Sequence, residues 1–328
     1  MRARVAEQRD PRRYALRSGV LLLLGLVLLA APAAAAALAV EPVAQPHRQA
    51  IAKPLDGPRG IALDARRGEV LVANTGQHLI ETYDLEGRLI ARTVHRVRAA
   101  DGRLVDGFPA GLAIDGAGRT LVVDRLATYV DVLDSRGAPV ARLEIGIERP
   151  GCTAATSVSA VAVMQSGEIL VAAGDEGARI HRFDARYRAL GCWGEPGPEP
   201  GHLAAITGIA SLPDGHCAIT CARTQLAVQI FTAAGEYVRG FGAHEIGPGN
   251  FSYPSGVTAT DDGRLWVSDE IRHSVQVFDK AGSYLGAVGG QGVAPGEFMY
   301  PSALSGDGKE LLAVSERVGN RYQLLRIR

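Results

Sequence analysis

Short apolar runs separated by turn-forming residues fill most of the chain. Runs such as LVVD, LWVSD and VQVF are apolar or β-branched, and Gly, Asp and Pro stand between them. Short runs with these boundaries are typical of β-strands. No helical periodicity follows the N-terminal forty residues. The pattern therefore predicts an all-β protein.

This strand pattern recurs six times. Residues from 251 read FSYPSGVTATDDGRLWVSDE, and residues from 298 read FMYPSALSGDGKELLAVSE. Further copies lie at 55–84 and 108–134, and weaker ones at 159–174 and 207–222. One small residue aligns in every copy, at intervals of 47 to 51 residues: Gly60, Gly111, Ala160, Gly208, Gly256 and Ala303. A fixed period with four strands per unit predicts a six-bladed β-propeller of four-stranded antiparallel blades.

The sixth copy ends at Arg328 after only three strands. A spare stretch, residues 40–52, precedes the first copy. We expect this stretch to supply the missing outer strand of the last blade, because a closed ring leaves only short, protected strand edges.

Three segments carry a resemblance to a known family. GAHEIGPGNFSYPSGV (242–257) and GGQGVAPGEFMYPSAL (289–304) resemble the Gly-rich joint and Pro-containing first strand of NHL repeats, and LWVSDEIRHSVQVFD (265–279) resembles their second and third strands. The resemblance spans nearly all of residues 40–328 but is weaker in blades three and four. In blade four, Cys221 replaces the usual acid or amide at the end of the second strand. The resemblance implies a six-bladed propeller. The family contains protein and polysaccharide binders as well as amidating lyases and lactonase-like enzymes. The function must therefore be inferred from the residues of the site and not from the fold.

The N-terminal segment has the features of an export signal. Six arginines lie within residues 1–18, an apolar run spans Gly19 to Ala31, and an Ala-rich stretch follows. This order predicts a signal peptide over residues 1–39 and a single domain over 40–328. An uncleaved membrane anchor is the alternative, although the run is short for a span of about 20 residues. We expect export by the general secretory route, with Arg12-Arg13 leaving a twin-arginine route open, to the periplasm or the exterior.

Composition narrows the class of protein. The hydrophobic fraction of 47% argues against disorder. The chain has 35 basic and 35 acidic side chains, and removing residues 1–39 would leave it mildly acidic. Nucleic-acid binders usually carry a basic excess, so we expect no nucleic-acid partner. We expect a monomer that contacts membranes only through its N-terminal segment.

The repeat also predicts which side chains surround the central channel. The first strands begin at Arg59, Ala110, Ser159, Thr207, Ser255 and Ser302. The second strands end at Asn74, Asp124, Ala173, Cys221, Asp269 and Glu316. The amidating lyases that the chain resembles place zinc-binding histidines at strand starts, and no histidine stands at any of the six. We therefore expect no cofactor, with calcium or another divalent ion in the channel as the alternative.

Two interpretations of the polar residues remain open. Asp124, Asp269 and Glu316 could form an acidic ring for a cation or an acid–base pair, or each could bind the backbone of its own turn. Arg59 could bind a carboxylate or phosphate, or stay solvated. No catalytic residue is assigned. The candidate ligand-binding residues at the channel mouth are Arg59, Asn74, Asp124, Arg125, Asp269, Glu270, Glu316 and Arg317.

The cysteines and histidines do not indicate a metal or catalytic site. Cys152 and Cys192 could form a disulfide in an exported chain, or both could be buried thiols. Cys217 and Cys221 lie about 13 Å apart on one predicted strand and cannot bridge there. The histidines, including His78, His181 and His273 near the starts of third strands, have no metal-ligand spacing.

The sequence favours a non-catalytic scaffold that binds a protein, peptide or glycan of the cell envelope. Its inter-blade loops are long and differ from one another, and recognition commonly resides on such loops. They span residues 92–107, 144–157, 193–206, 242–253 and 287–300. The alternative is a metal-dependent lyase, lactonase or esterase with its site in the channel. A third option is a cell-envelope assembly component that carries no cofactor.

Overall fold

The computed structural model describes residues 55–99, 101–174 and 178–327, and the backbone of residues 40–44. Within these ranges the chain forms 26 β-strands, one 3-10 turn at Thr75–Gln77 and no α-helix. No helix in the described part is long and apolar enough to cross a membrane. The predicted signal peptide lies outside the described residues.

Strand β1 is Val40–Ala44, and the blades follow it. Blade one contains Gly60–Asp64 (β2), Glu69–Asn74 (β3), Leu79–Asp84 (β4) and Leu89–Val94 (β5). A hairpin of Arg96–Arg98 (β6) and Leu104–Asp106 (β7) comes next. Blade two contains Pro109–Ile114 (β8), Thr120–Asp124 (β9), Tyr129–Leu133 (β10) and Pro139–Glu144 (β11). Blade three contains Val158–Val163 (β12), Ile169–Ala173 (β13), Arg179–Phe183 (β14) and Ala189–Trp193 (β15).

The second half repeats this arrangement. Blade four contains Ile206–Ser211 (β16), Cys217–Cys221 (β17), Val228–Phe231 (β18) and Tyr237–Phe241 (β19). Blade five contains Pro254–Ala259 (β20), Leu265–Asp269 (β21), Ser274–Phe278 (β22) and Tyr284–Gly289 (β23). Blade six contains Pro301–Gly306 (β24), Leu311–Glu316 (β25) and Arg321–Ile327 (β26).

The blades are antiparallel sheets arranged in a circle. Within each blade, consecutive strands pair with one another. The first strands β2, β8, β12, β16, β20 and β24 each contact the next, and β24 contacts β2 again. The predicted all-β, six-bladed propeller is therefore confirmed.

The hydrophobic core is divided into layers between neighbouring blades. Leu121 and Val130 of blade two, for example, pack against Ile169 and Phe183 of blade three. Each middle strand is covered on both faces, so strands such as β9, β13, β17 and β21 are buried at every position. Burial on both faces explains why the sequence shows continuous apolar runs rather than strict alternation.

The turns between third and fourth strands follow the sequence pattern. In blade five, Gly282 donates its N–H to the carbonyl of Asp279 at 3.0 Å. The Asp279 carboxylate accepts the N–H groups of Ala281 and Ser283 at 2.8 Å each. Gly282 has φ of +93°, a conformation that glycine adopts without strain. Asp84–Gly87 and Asp134–Gly137 make the same turn.

One inter-blade segment differs from the expected loop. Residues 92–107 contain the end of β5 and the β6–β7 hairpin, in which Arg96 pairs with Asp106 and Arg98 with Leu104. Val97 is buried against Ala127 and Tyr129 of blade two. Val97 is the one buried side chain of the two hairpin strands, so the strand pattern was too weak to predict the hairpin.

Strand β1 lies beside the last blade. It pairs antiparallel with β26, with Val40 opposite Ile327 and Ala44 opposite Leu324. The part of the proposed closing segment beyond residue 44 lies outside the described residues. Closure of the ring by this segment stays a prediction.

Deleting residues 40–52 is expected to lower the melting temperature by about 5 °C or more. The deletion would leave the edge of β26 unpaired, and each kcal/mol lost is worth about 2–4 °C in a domain of this size. Calorimetry of the deletion variant checks this. The matched control replaces residues 45–52 by Gly and Ser, which keeps β1. An unchanged melting temperature after the deletion would rule out closure by this segment.

Candidate functional site

The starts of the six first strands surround one end of the central channel. They line a cavity of about 100 Å³. The residues at these starts are those that the repeat predicts: Arg59, Ala110, Ser159, Thr207, Ser255 and Ser302. We call this end of the channel, with the second-strand ends beside it, the channel mouth. A second cavity of about 340 Å³ lies at the opposite end.

The hydroxyl groups at the mouth connect neighbouring blades. Thr207 Oγ1 donates to the carbonyl oxygen of Pro254 at 2.7 Å, and Ser255 Oγ donates to that of Pro301 at 2.6 Å. Ser302 likewise donates to the carbonyl of Pro58 at 3.0 Å. These side chains therefore hold blades four, five, six and one together, and their protons are already committed.

The acidic side chains at the second-strand ends are buried. Asp269 is 0% exposed. Its carboxylate accepts the N–H of Ser252 at 2.6 Å and of Tyr253 at 3.1 Å, in the preceding inter-blade loop. It also accepts the N–H groups of Ile271 and Arg272 in the following turn, each at 3.1 Å. Asp269 thus fixes the backbone on both sides of the mouth.

Glu316 and Asn74 take the same position in their blades. Glu316 Oε2 accepts the N–H of Met299 at 2.7 Å, and Asn74 Oδ1 accepts that of Asp56 at 2.8 Å. Glu316 also accepts a bond from Arg321 Nε at 2.7 Å. Both side chains are completely buried. The strand-end residues therefore lie beneath the mouth and bind backbone, which agrees with the second of the two interpretations above rather than with an acidic ring open to the channel.

Asp124 has a partner that sequence reasoning missed. His95 lies between two buried carboxylates: its Nδ1 is 2.9 Å from Asp124 Oδ2, and its Nε2 is 3.4 Å from Asp131 Oδ2. Burial alone would lower the pKa of His95, but the hydrogen bond to Asp124 and the charges of both carboxylates outweigh burial and raise the pKa to about 9. His95 is therefore a buried cation at neutral pH. Its position in a variable loop gave no sequence signal.

Three arginines gather at the mouth. Burial and the nearby charges of Arg125 and Arg317 lower the pKa of the Arg59 guanidinium. Arg317 Nε donates to Glu270 Oε1 at 2.8 Å, and its guanidinium lies over the ring of Tyr300, 5.5 Å from the centroid. Arg317 therefore pairs with the neighbouring blade rather than with the strand-end acid Glu316.

Arg59 and Arg125 differ from Arg317 in having no such partner. Within the described part of the chain, neither side chain makes a hydrogen bond or an ion pair. Arg125 is exposed and Arg59 is half-buried. The two guanidinium groups can therefore accept an acidic group without first breaking a protein contact.

A divalent ion does not fit the residues at this end of the channel. In the described ranges, no three His, Cys, Asp or Glu side chains converge as metal ligands. Asp269 and Glu316 accept the bonds described above, and Asp124 holds His95. A metal would have to displace backbone N–H groups from these buried carboxylates, which is costly.

A second set of buried side chains holds the inter-blade loops. Gln276 on β22 accepts the N–H of Gly249 at 3.0 Å and donates to the carbonyl of Asn250 at 2.7 Å. Gln229 makes the same pair of bonds to Gly201 and His202, and Gln323 to Gly296 and Glu297. Each glutamine thus clamps a Pro-Gly turn. We call these three residues the glutamine clamps.

The cysteines divide into a pair and two single thiols. Cys152 and Cys192 form a disulfide with a Cα–Cα distance of 5.7 Å. Cys217 and Cys221 are free and buried. Burial raises the pKa of Cys221 to about 11, so this thiol stays protonated and unreactive at neutral pH.

Comparison with known proteins places the repeat in a family. The family model for the NHL repeat matches residues 251–278, which cover the start of blade five. This match and the six-bladed fold together support an NHL-repeat β-propeller. A comparison with curated proteins gives no significant match.

Solved structures share the fold of this NHL-repeat propeller at low sequence identity. A gluconolactonase from Xanthomonas campestris is 15% identical with a TM-score of 0.61, over 84% of this chain and 87% of its own. A Bacteroides thetaiotaomicron protein of unknown function is 16% identical with a TM-score of 0.65, over 89% and 76%. Virginiamycin B lyase from Staphylococcus aureus is 14% identical with a TM-score of 0.56, over 88% and 99%. At these identities the likeness concerns the fold alone.

Replacing a glutamine clamp should destabilise the propeller. Gln276→Met keeps the side-chain length but leaves the N–H of Gly249 and the carbonyl of Asn250 without their partner. Each unpaired buried group costs about 1–3 kcal/mol, so we expect a loss of roughly 2–5 kcal/mol in denaturant unfolding. The control is Gln291→Met, at an exposed glutamine. Equal stabilities of the two variants would contradict the clamp.

The buried His95 predicts a pH-dependent stability. Its pKa is raised by folding, so its contribution is complete below about pH 6.5, falls as pH rises and is gone above about pH 9. We expect His95→Gln to be less stable than the wild type by up to about 3 kcal/mol at pH 6, with a much smaller difference at pH 10. Urea unfolding across this range measures the gap.

The control for this experiment is the exposed residue His244. His244→Gln should follow the wild-type profile at every pH. A wild-type advantage over His95→Gln that is constant from pH 6 to pH 10 would show that His95 is not held as a cation.

Proposed function

We propose that this chain is a non-catalytic binding propeller. It recognises an acidic group of a protein, peptide or glycan at the channel mouth and contacts the rest of the partner through its inter-blade loops. If residues 1–39 act as an export signal, this partner belongs to the cell envelope, and the propeller acts there as a monomer.

The observation that carries the proposal is the unequal charge at the mouth. Arg59, Arg125 and Arg317 gather there, and among the described residues Glu270 is the carboxylate that interacts with Arg59 and Arg317. Guanidinium groups bind carboxylates and phosphates through paired, charge-assisted hydrogen bonds. Glu270 holds Arg317 in place, so Arg59 and Arg125 are the two groups that remain for a ligand.

The surroundings support binding rather than chemistry at this position. The hydroxyls of Thr207, Ser255 and Ser302 donate to backbone carbonyls of the next blade. A general base must lie within hydrogen-bond reach of the proton that it removes, and the strand-end acids Asp269 and Glu316 are engaged with backbone and arginine. These hydroxyls and carboxylates therefore stabilise the channel mouth at which a ligand would bind.

The alternative is a metal-dependent lyase, lactonase or esterase. Its support is the shared fold with a gluconolactonase and a virginiamycin B lyase. Metal analysis of the purified protein, followed by a screen of lactones and esters, distinguishes the two proposals. A stoichiometric metal whose removal abolishes turnover would establish the enzyme.

Removing the two unpaired arginines should weaken binding of acidic ligands. We expect Arg59→Gln with Arg125→Gln to reduce affinity for a hexaglutamate peptide or a galacturonic acid oligomer at least tenfold. A hydrogen bond to a charged group contributes about 1.5–3 kcal/mol, and about 1.4 kcal/mol is tenfold. Isothermal titration calorimetry measures both probes and shows whether the propeller prefers peptide or glycan.

The matched control is Arg136→Gln. Arg136 is exposed in the turn between β10 and β11, at the opposite end of blade two. This variant should bind as the wild type does. If neither probe binds the wild type, or if the double variant binds both probes unchanged, recognition of an acidic group at the mouth is wrong.

A further inference from the structure

Blade three departs from the arrangement that holds the inter-blade loops of blades four, five and six. Blades four, five and six each place a glutamine clamp on the third strand. The equivalent position in blade three is His181, which pairs across the sheet with Cys192. Its ring nitrogens are both buried, and neither has a hydrogen-bond partner.

The disulfide replaces the clamp in this blade. Each glutamine clamp binds the carbonyl of the residue that follows a Pro-Gly pair, such as Asn250 after Pro248-Gly249. In blade three the residue after Pro150-Gly151 is Cys152, and its bond to Cys192 ties the loop to the fourth strand. His181 is therefore not needed to hold the loop.

A cavity of about 200 Å³ lies against this histidine. Its wall combines small apolar residues, among them Ala154, Ala155 and Pro196, with the guanidinium of Arg179. Drug-sized ligands occupy pockets of about 300–1,000 Å³, so this volume suits a smaller molecule. Within the described residues, the Arg179 side chain makes no hydrogen bond or ion pair.

Among the described residues, the charge around the cavity favours an anion. Burial, and then the charges of Arg149 and Arg179, lower the pKa of His181 to about 4. The imidazole is therefore neutral and can donate one N–H, while Arg179 supplies positive charge. Arg149 is partly engaged, since it donates to the carbonyl of Glu144 and lies over the ring of Phe183.

We propose that this cavity in blade three binds a small organic carboxylate, held by Arg179 and by a ring nitrogen of His181. The carboxylate would satisfy a buried donor that is otherwise unpaired, and native structures rarely leave such groups without a partner. Its short apolar chain would contact the alanine and proline side chains. A phosphate would place charged oxygens against those apolar walls, which is unfavourable.

The site is separate from the channel mouth and does not depend on the proposed function. The experiment uses the full-length propeller carrying Arg59→Gln and Arg125→Gln, so that the mouth arginines cannot bind the probes. The probes are acetate, propionate and lactate, with inorganic phosphate as a non-carboxylate anion. Calorimetry measures binding, and the ring-nitrogen chemical shifts of His181 report contact.

We expect one carboxylate per chain, a shift of the His181 resonances and no effect of phosphate. Arg179→Met should lower carboxylate affinity at least tenfold. His181→Leu should do the same, while raising the melting temperature of the ligand-free protein because it removes unpaired polar atoms. Arg186→Met, in the turn at the far end of blade three, should change nothing.

Three results would overturn the proposal. The first is the absence of any carboxylate binding, which would mean that the cavity holds water only. The second is binding that Arg179→Met leaves unchanged. The third is binding without a shift of the His181 resonances. None of these results bears on the arginines at the channel mouth.

Discussion

The buried polar side chains that hold the inter-blade loops determine how this propeller presents a surface. Asp269 binds the backbone of its loop, and Gln276 clamps the Gly249 turn a few residues earlier. Both side chains are buried between blades, where an unpaired polar group would cost about 1–3 kcal/mol. The loop at residues 242–253 has no regular structure of its own, so these bonds fix its position. The shape of the mouth follows from them.

This constraint explains why residues that look reactive are structural. A carboxylate at the end of a second strand recurs in several blades because each blade must hold the loop that leads into it. Asp269 and Glu316 serve their own loops in this way, and Asn74 does so with an amide oxygen. Recurrence within one chain therefore reflects a shared folding requirement. The groups left for function are those that break the repeat, such as Arg59 and Arg125.

Much of the fold could be predicted from the sequence, because each blade meets the same physical demand. Middle strands buried on both faces must be apolar throughout, and each tight turn needs Asp and Gly at fixed positions. These requirements explain the 47- to 51-residue period, and the alignment of the repeats correctly predicted which residues start the first strands.

The orientation of the strand-end side chains could not be predicted. Strand register says which residue ends a strand, but the loop that approaches it decides whether the side chain faces the channel or the backbone. His95 is a clearer case, since it meets Asp124 across 29 residues of sequence. That contact depends on how the segment between blades one and two folds back, and the β6–β7 hairpin within it had only a weak pattern.

The net charge of the chain also differs from the local charge at the channel mouth. The chain has equal numbers of acidic and basic residues, which argues against a broad basic surface. It does not describe the channel mouth, because charges interact over about 8 Å at physiological salt. Arg59 interacts with the charges of Arg125 and Arg317 and with that of Glu270, and Glu270 is itself paired with Arg317. A propeller without a basic excess can therefore carry a positive mouth, since the ring brings together side chains from blades one, two and six.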